Sequence, residues 1–421
     1  MSDGRFGCGR VLDVDRSPGY GARTRFLGGL LDWVGAEPPT SASIAGAPLL
    51  EIGHAAVDVI VSEGQPILGE HPLGVEFTVL EHVMSYWGPG FPKSRLERRF
   101  VTGDPVAKAE RRFVQPPLTD EMLAPSATGR GIIQFQEPFG DDEYRRLARW
   151  LENYPEMTLR VFSSPTIRDL EFLRFFPSLQ SFAADTLFYF ESADGLRHLP
   201  STLRGLGLGA MRRPIDLSIL ERFPELTWLF LEKHQKGIEA LSRLTRLEDL
   251  TLRSIKLPDL SLLVPLESLR SLDLKLGGTN DLGLLPEVGQ LRYLELWRIR
   301  GLSDLSTVGG LPRLRHLFLQ ALPQVTTLPD FSEASSLRRI HLETMKGIRD
   351  LRPIATAPAL EELVLGDLPQ LQPDDLRPLV GHPTLRAVTA HLGGARKNAE
   401  AKALLGLPEV TFDWDWQDDE K

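Results

Sequence analysis

A six-residue leucine pattern recurs along most of this 421-residue chain. In the segment LRYLEL (291–296), leucines occupy the first, fourth and sixth positions, and LRHLFL (314–319) repeats the figure 23 residues later. The fourth position of successive repeats is Leu159, Phe182, Leu206, Leu229, Leu250, Leu272, Leu294, Leu317, Ile340, Leu363, Val388 and Val410. Because these positions lie 21 to 25 residues apart over the whole series, the pattern is not a chance arrangement.

The spacing within each repeat predicts a β-strand with one buried face. Residues two apart on a strand point to the same side, so the fourth and sixth positions share a direction. Burying one such aliphatic side chain contributes roughly 1.5–3 kcal/mol, but a single repeat cannot cover its own apolar face. The repeats must therefore stack on one another, which predicts one elongated body from near residue 130 to the carboxyl end.

With this period and these leucines, residues from about 130 to 416 resemble the leucine-rich repeat family. The return stretch GLSDLSTVGGLPRL (301–314) is similar to the short bacterial class found in internalins. The resemblance implies an α/β solenoid: a horseshoe with a parallel β-sheet on its concave face and short 3₁₀ or helical returns. The family places Asn or Cys at the ninth position of each repeat, whereas this chain has apolar residues such as Ile255 and Met345. The backbone groups at that bend must therefore have other partners.

The segment before the repeats predicts a second domain. Residues 1–128 lack the repeat and alternate like strands at 55–64 and 74–88, which indicates a small α+β or mostly β domain of unknown role. The pentapeptide ERRFV occurs twice within 96–117, as in a hairpin. Residues 129–416 form the predicted solenoid, and 417–421 form an acidic tail.

Both ends of the solenoid carry helical segments. A strand at 131–136, an amphipathic helix at 140–156 and a strand at 158–163 predict a βαβ unit at the front of the stack. At the rear, residues 397–416 predict a helix followed by a final strand. These segments would cover core that the end repeats leave open. An aspartate before several return stretches, such as Asp304, predicts a turn or a helix N-cap.

The side chains between the leucines supply the candidate binding surface. Positions three, five and seven point away from the core, onto the predicted concave face, and neighbouring strands lie about 4.8 Å apart. Aromatic residues beside Arg and His are typical of protein-binding surfaces. The predicted partner-binding residues are Trp228, Phe230, Tyr293, Trp297, His316, Phe318, Arg339 and His341. Two alternatives stay open: the rings only pack on one another, or the N-terminal domain covers them as a lid.

Composition narrows the classes of partner. The chain is 42% hydrophobic and 25% charged, as in a soluble protein, and its net charge of −9 disfavours nucleic acid and anionic membranes. No apolar run is long enough to cross a membrane, and the N-terminus does not resemble a signal peptide. The single cysteine, Cys8, cannot form a disulfide framework or a zinc cluster. These features predict a cytoplasmic protein that binds a protein partner and needs no cofactor.

The alternative function is an enzyme with a catalytic N-terminal domain and repeats that select its substrate. Its candidate residues are three histidines with nearby glutamates, which could hold a metal: His54, His71, His82, Glu51, Glu70 and Glu81. Their spacing fixes no pair of ligands on one element. Cys8 lacks an identifiable base, the glycine-rich segment 19–29 lacks a phosphate-loop lysine, and glutamates interrupt the basic segments 93–100 and 109–114. We therefore expect a non-enzymatic scaffold.

Overall fold

The computed structural model divides the chain into two compact units. It describes residues 5–15, 25–47, 49–56, 86–87, 110–126, 129–162, 165–186 and 189–410. One unit comprises Met1–Lys108 with Thr411–Trp416, and the other comprises Ala109–Val410 with Gln417–Lys421. The boundary that the sequence predicts at residue 128 lies inside the second unit.

The described part of the first unit is a small β-sheet. Its strands are β1 (Phe6–Asp15), β2 (Arg25–Gly35), β3 (Leu49–Ala56) and β4 (Tyr86–Trp87). The first three pair antiparallel in order, and β4 pairs parallel with β3. Cys8 packs with Leu31 and Ile44 in this unit's core. Of the predicted strands at 55–64 and 74–88, residues 57–64, 74–85 and 88 lie outside the described residues.

The second unit contains a parallel sheet whose strands follow one another in chain order. Among the described residues, the sheet has thirteen strands. They are β5 (Glu110–Phe113), β6 (Arg130–Phe135), β7 (Glu156–Phe162), β8 (Ser181–Thr186), β9 (Gly205–Leu208), β10 (Trp228–Glu232), β11 (Asp249–Arg253), β12 (Ser271–Lys275), β13 (Tyr293–Trp297), β14 (His316–Gln320), β15 (Arg339–Glu343), β16 (Glu362–Gly366) and β17 (Ala387–Ala390). Each repeat thus adds one strand, which confirms the leucine-rich repeat solenoid.

The leucines form the core in the predicted register. Leu294 lies opposite Leu317, and Leu296 lies opposite Leu319. All four side chains are fully buried, and the same pairing of fourth with fourth and sixth with sixth positions holds from β9 to β17. Each repeat therefore closes the apolar face of its neighbour.

The return stretches are mostly short 3₁₀ segments, as the resemblance implied. They are Glu171–Phe175, Asp194–His198, Leu217–Arg222, Ile238–Arg243, Leu285–Glu287, Ser306–Val308, Ile354–Thr356 and Pro373–Leu379. The predicted aspartates precede several returns and accept a bond from the backbone two residues on. For example, Asp304 Oδ1 accepts from the Ser306 N–H at 2.8 Å. These bonds satisfy donors that a short helical turn leaves open.

A helix lies near each end of the sheet. Helix α1 (Asp141–Glu152) connects β6 to β7, and helix α2 (Ala395–Leu405) follows β17. Helix α1 buries Tyr144, Leu147 and Trp150 among other side chains, as its sequence pattern predicts. The sheet continues beyond β6, because β5 pairs parallel with it. The second ERRFV copy therefore forms a parallel strand, and the first copy lies outside the described residues.

The bend after each strand uses backbone geometry in place of the family's asparagine. Seven consecutive repeats, from β10 to β16, place a non-glycine residue with positive φ directly after the strand. In six of the seven, from Lys233 to Thr344, its N–H donates to the neighbouring repeat, as from Ala321 to the Glu343 carbonyl at 2.9 Å. Where the ninth position is polar, a side chain takes part: His234 is fully buried and bridges Gly209 and Ile215. The sequence pattern did not point to His234, because most ninth positions are apolar.

Candidate functional site

The parallel register brings the predicted partner-binding residues of three strands into straight rows. We call the side chains at positions three, five and seven the strand face. Along the third position, Tyr293 lies opposite His316, and His316 lies opposite Arg339. Along the fifth position, Phe318 lies opposite His341. The structure therefore assembles these five residues, which are far apart in sequence, on one side of β13, β14 and β15.

Aromatic contacts hold these rows together. The Phe318 and His341 rings stack at 4.1 Å between centroids with a 7° interplanar angle. Tyr293 and His316 meet edge to face at 5.2 Å. The Arg253 guanidinium lies 5.8 Å from the centroid of the Trp297 ring, within the range of a cation–π contact. We call Trp297, Phe318, Arg339 and His341, whose side chains are half-buried, the strand-face patch.

Tyr293 and His316 are fully buried, whereas the sequence predicted exposed side chains. Their rings pack on each other, and the Tyr293 hydroxyl donates to Glu295 Oε2 at 3.0 Å. Burial raises the pKa of Tyr293 and holds the pKa of His316 well below its usual value, with the charges of Arg339 and His341 adding to the latter effect. These two residues therefore support the strand-face patch from within.

Trp228 and Phe230 lie apart from the patch. Both belong to β10, which β11 and β12 separate from β13. The Trp228 ring lies over the two glycines of β9: a Cβ on Gly207 would approach it to 2.9 Å, and one on Gly205 would approach it to 3.3 Å. The indole thus fills the space that the missing glycine side chains leave, which accounts for its half-buried position.

Between these aromatic groups lies a buried polar network that the sequence reading did not single out. Lys275 Nζ lies 2.8 Å from Glu295 Oε2 and 3.2 Å from Asp273 Oδ2, and both carboxylate side chains are 4% exposed. Thr251 donates to Asp273 at 3.0 Å. Burial raises the pKa of Glu295, and the Asp273 charge raises it further, while Lys275 lowers it. The sequence does contain the pattern, because these four polar residues occupy fifth or seventh positions of three adjacent repeats.

The other side of the patch carries ion pairs. Arg339 pairs with Glu362 on the next strand. His341 Nε2 lies 3.5 Å from Glu343 Oε2, and Gln320 donates to Glu343 Oε1 at 2.9 Å. The hydrogen bond from His341 holds the pKa of Glu343 below its usual value. The patch thus combines stacked rings with an arginine, and the carboxylates of Glu343 and Glu362 lie beside it.

The candidates of the enzymatic alternative are only partly described. Burial raises the pKa of the Cys8 thiol, which opposes formation of the reactive thiolate. His54 lies in β3, opposite Leu27 on β2. His71 and His82, with Glu70 and Glu81, lie outside the described residues, as do segment 93–100 and the acidic tail. The catalytic reading stays an untested prediction.

Comparisons with known proteins give three solved structures to which this chain is similar. No protein-family model matches the sequence, and no curated protein matches it. An internalin (InlF) of Listeria monocytogenes is 16% identical, with 67% of this chain and 78% of that chain covered and a TM-score of 0.43. A leucine-rich repeat protein of Leptospira interrogans is 16% identical, with 69% and 92% covered and a TM-score of 0.42. Internalin C2 of Listeria monocytogenes is 23% identical, with 53% and 84% covered and a TM-score of 0.30. The leucine-rich repeat assignment itself rests on the leucine register and the parallel sheet.

The described helices are short relative to the roughly 20 residues that cross a bilayer. Within the described ranges, none is both long and apolar enough for a membrane crossing. The longer of the two, α1, has 12 residues.

Proposed function

We propose that this protein is a non-enzymatic scaffold that binds a protein partner through its strand face. The observation that carries this proposal is the alignment of stacked rings and fixed charges across β13, β14 and β15. A parallel sheet holds its side chains in place before binding, so little conformational entropy is lost on association. Aromatic and arginine side chains supply a large share of the binding energy at protein interfaces.

Within this proposal, the four residues of the strand-face patch make the direct contacts. Trp297 and Phe318 offer flat apolar surfaces, and Arg339 and His341 offer hydrogen-bond donors beside them. Tyr293 and His316 hold this surface from below, and Trp228 and Phe230 extend it across the network around Lys275. The partner would thus meet an apolar centre with a polar margin, which is the usual anatomy of such interfaces.

A double substitution tests the proposal. Affinity capture from a lysate of the source organism would compare the wild type with Trp297→Ala/Phe318→Ala. A matched control, Tyr189→Ala/Val380→Ala, removes two exposed apolar side chains elsewhere: Tyr189 is 49% exposed and Val380 is 51% exposed. We expect a protein that the wild type and the control retain and that the patch variant loses.

The retained protein would then be purified and its dissociation constant measured. Truncating a hot-spot residue typically costs about 2 kcal/mol, which corresponds to roughly a 30-fold weaker complex for each substitution. Circular dichroism would verify that both variants keep the fold. Capture of the same proteins with unchanged affinity by the patch variant, or capture of none by the wild type, would show that this surface is not the binding site.

We further propose that the protein acts in the cytoplasm. Its one cysteine supports this location, since repeat proteins without disulfides are stable in a reducing compartment. Fractionation of the source cells, with detection by a specific antibody, tests this directly. Recovery in the culture medium or on the cell surface would contradict it.

A further inference from the structure

Four arginines lie side by side at the edge where the chain enters the strands of the sheet. Arg270, Arg292, Arg315 and Arg338 each precede the first residue of a strand, from β12 to β15. Backbone hydrogen bonds join each of them to the next. The Arg292 N–H donates to the Arg270 carbonyl at 2.7 Å, and the same bond joins Arg315 to Arg292 and Arg338 to Arg315 at 2.8 Å. We call these four residues the arginine row.

The charges of this row are poorly balanced. Arg315 and Arg338 are exposed and Arg292 is half-exposed. Within the described residues, no carboxylate lies within ion-pair distance of these three, and Arg270 has only a 3.6 Å contact with Glu248. Like charges on adjacent strands repel each other. A local excess of positive charge on a chain with a net charge of −9 is therefore a site where an anionic partner would relieve repulsion.

The length of the row limits the partner. The backbone step between neighbouring strands is about 4.8 Å, so three steps span roughly 14 Å. Glutamates continue the row at both ends: the Arg270 N–H donates to the Glu248 carbonyl, and the Glu361 N–H donates to the Arg338 carbonyl. A long polyanion such as a nucleic acid would meet these negative charges on either side. A run of three or four carboxylates fits between them.

We propose that the arginine row binds a short acidic segment of a protein partner, rich in Asp and Glu. Each guanidinium presents a planar fork of donors that can hold a carboxylate by two parallel hydrogen bonds. An extended acidic peptide that runs along the sheet edge would bring successive carboxylates to successive repeats. The row precedes the strands and contains no residue of the strand-face patch. It can therefore be tested independently of the proposed function.

The test is a binding titration with the full-length protein at about 50 mM salt, where screening between exposed charges is weak. The probe is a fluorescein-labelled peptide of six consecutive glutamates, followed by fluorescence anisotropy. The neutralised variant is Arg292→Gln/Arg315→Gln/Arg338→Gln. The control variant, Arg213→Gln/Arg300→Gln/Arg349→Gln, removes the same charge from three exposed arginines at other positions.

We expect the row variant to bind the peptide at least tenfold more weakly than the wild type, with the control variant within twofold. A glutamine hexapeptide should not bind. The unfolding temperature of the row variant should equal or exceed that of the wild type, because neutralisation removes repulsion. A drop in that temperature would indicate a structural role and overturn the proposal.

Three further results would also overturn it. One is absence of binding by the wild type. Another is an equal loss in both variants, which would reflect overall charge. The last is tighter binding of an oligothymidine of matched charge that depends on the same three arginines, which would make the row a nucleic-acid surface.

Discussion

Substitution of His234 tests how the repeats supply hydrogen-bond partners to the backbone groups at their bends without the family's asparagine. The Ile215 N–H donates to its Nδ1 at 3.1 Å, so Nε2 carries the proton and donates to the Gly209 carbonyl at 3.0 Å. The ring is fully buried, and one neutral side chain therefore satisfies two backbone groups. Replacing it with leucine keeps apolar volume but leaves both groups without a partner.

The expected loss follows from those two groups. A buried donor or acceptor that lacks a partner costs about 1–3 kcal/mol, so with two such groups His234→Leu should lower the free energy of unfolding by about 2–6 kcal/mol. The matched variant His234→Asn carries both a donor and an acceptor and should lose less. Guanidinium denaturation measures the free energy of unfolding. Hydrogen exchange at the Ile215 amide supplies a local readout, because that proton should exchange faster in the leucine variant.

The same residue predicts a dependence on pH. Burial lowers the pKa of His234 in the folded protein, so below the ordinary histidine value near 6.5 the unfolded chain binds the extra proton first. The contribution of this group is complete above that value and is lost as the pH falls below it. Acidification from pH 7 to 5 should therefore destabilise the wild type more than His234→Asn. Equal slopes for the two proteins, or a leucine variant within about 0.5 kcal/mol of the wild type, would refute the assigned role.

Three further substitutions probe the core, the buried carboxylate and the bends. Leu296→Ala, in the middle of the stack, should lower the free energy of unfolding by about 2–5 kcal/mol in denaturant titrations, and a loss under 1 kcal/mol would contradict the stacked core. Glu295→Gln removes a group whose pKa burial raises, so the wild type should lose stability relative to this variant as the pH rises above about 4.5, where the unfolded chain gives up its proton first. A stability difference that does not change between pH 4.5 and 7.5 would show that Glu295 titrates normally. Ala321→Gly, at a φ of 51°, should raise the free energy of unfolding by up to about 1 kcal/mol, whereas a decrease would mean that the bend imposes no strain.

The repeat part of the fold was predictable because its pattern is set by local spacing. A leucine at the fourth and sixth positions of each repeat can be buried only if successive strands pair in register, and the structure has that register from β9 to β17. The strand β5 was not predictable in the same way. Its sequence ERRF contains none of the leucines that mark the repeats, and only its pairing with β6 fixes its place in the sheet.

The sequence was enough to predict which residues of the candidate site share one face, but not which of them are buried. Alternation along each strand places Tyr293, His316 and Phe318 on one face, which needs only the sequence. Whether a side chain on that face is accessible depends on its neighbours across the sheet. Tyr293 is enclosed by its edge-to-face contact with His316 and its bond to Glu295, and neither contact can be read from one repeat.

The residue with positive φ after each strand also affects which amino-acid substitutions the chain can accept. Lysine, serine, leucine, arginine, alanine, threonine and aspartate occupy this place in seven successive repeats, as Lys233, Ser254, Leu276, Arg298, Ala321, Thr344 and Asp367. Since the same torsion is kept with seven different amino acids, the stack imposes the geometry and leaves the chemistry open. The rim of the solenoid can thus acquire a new charge or apolar group by a single codon change without disturbing the coils beneath it.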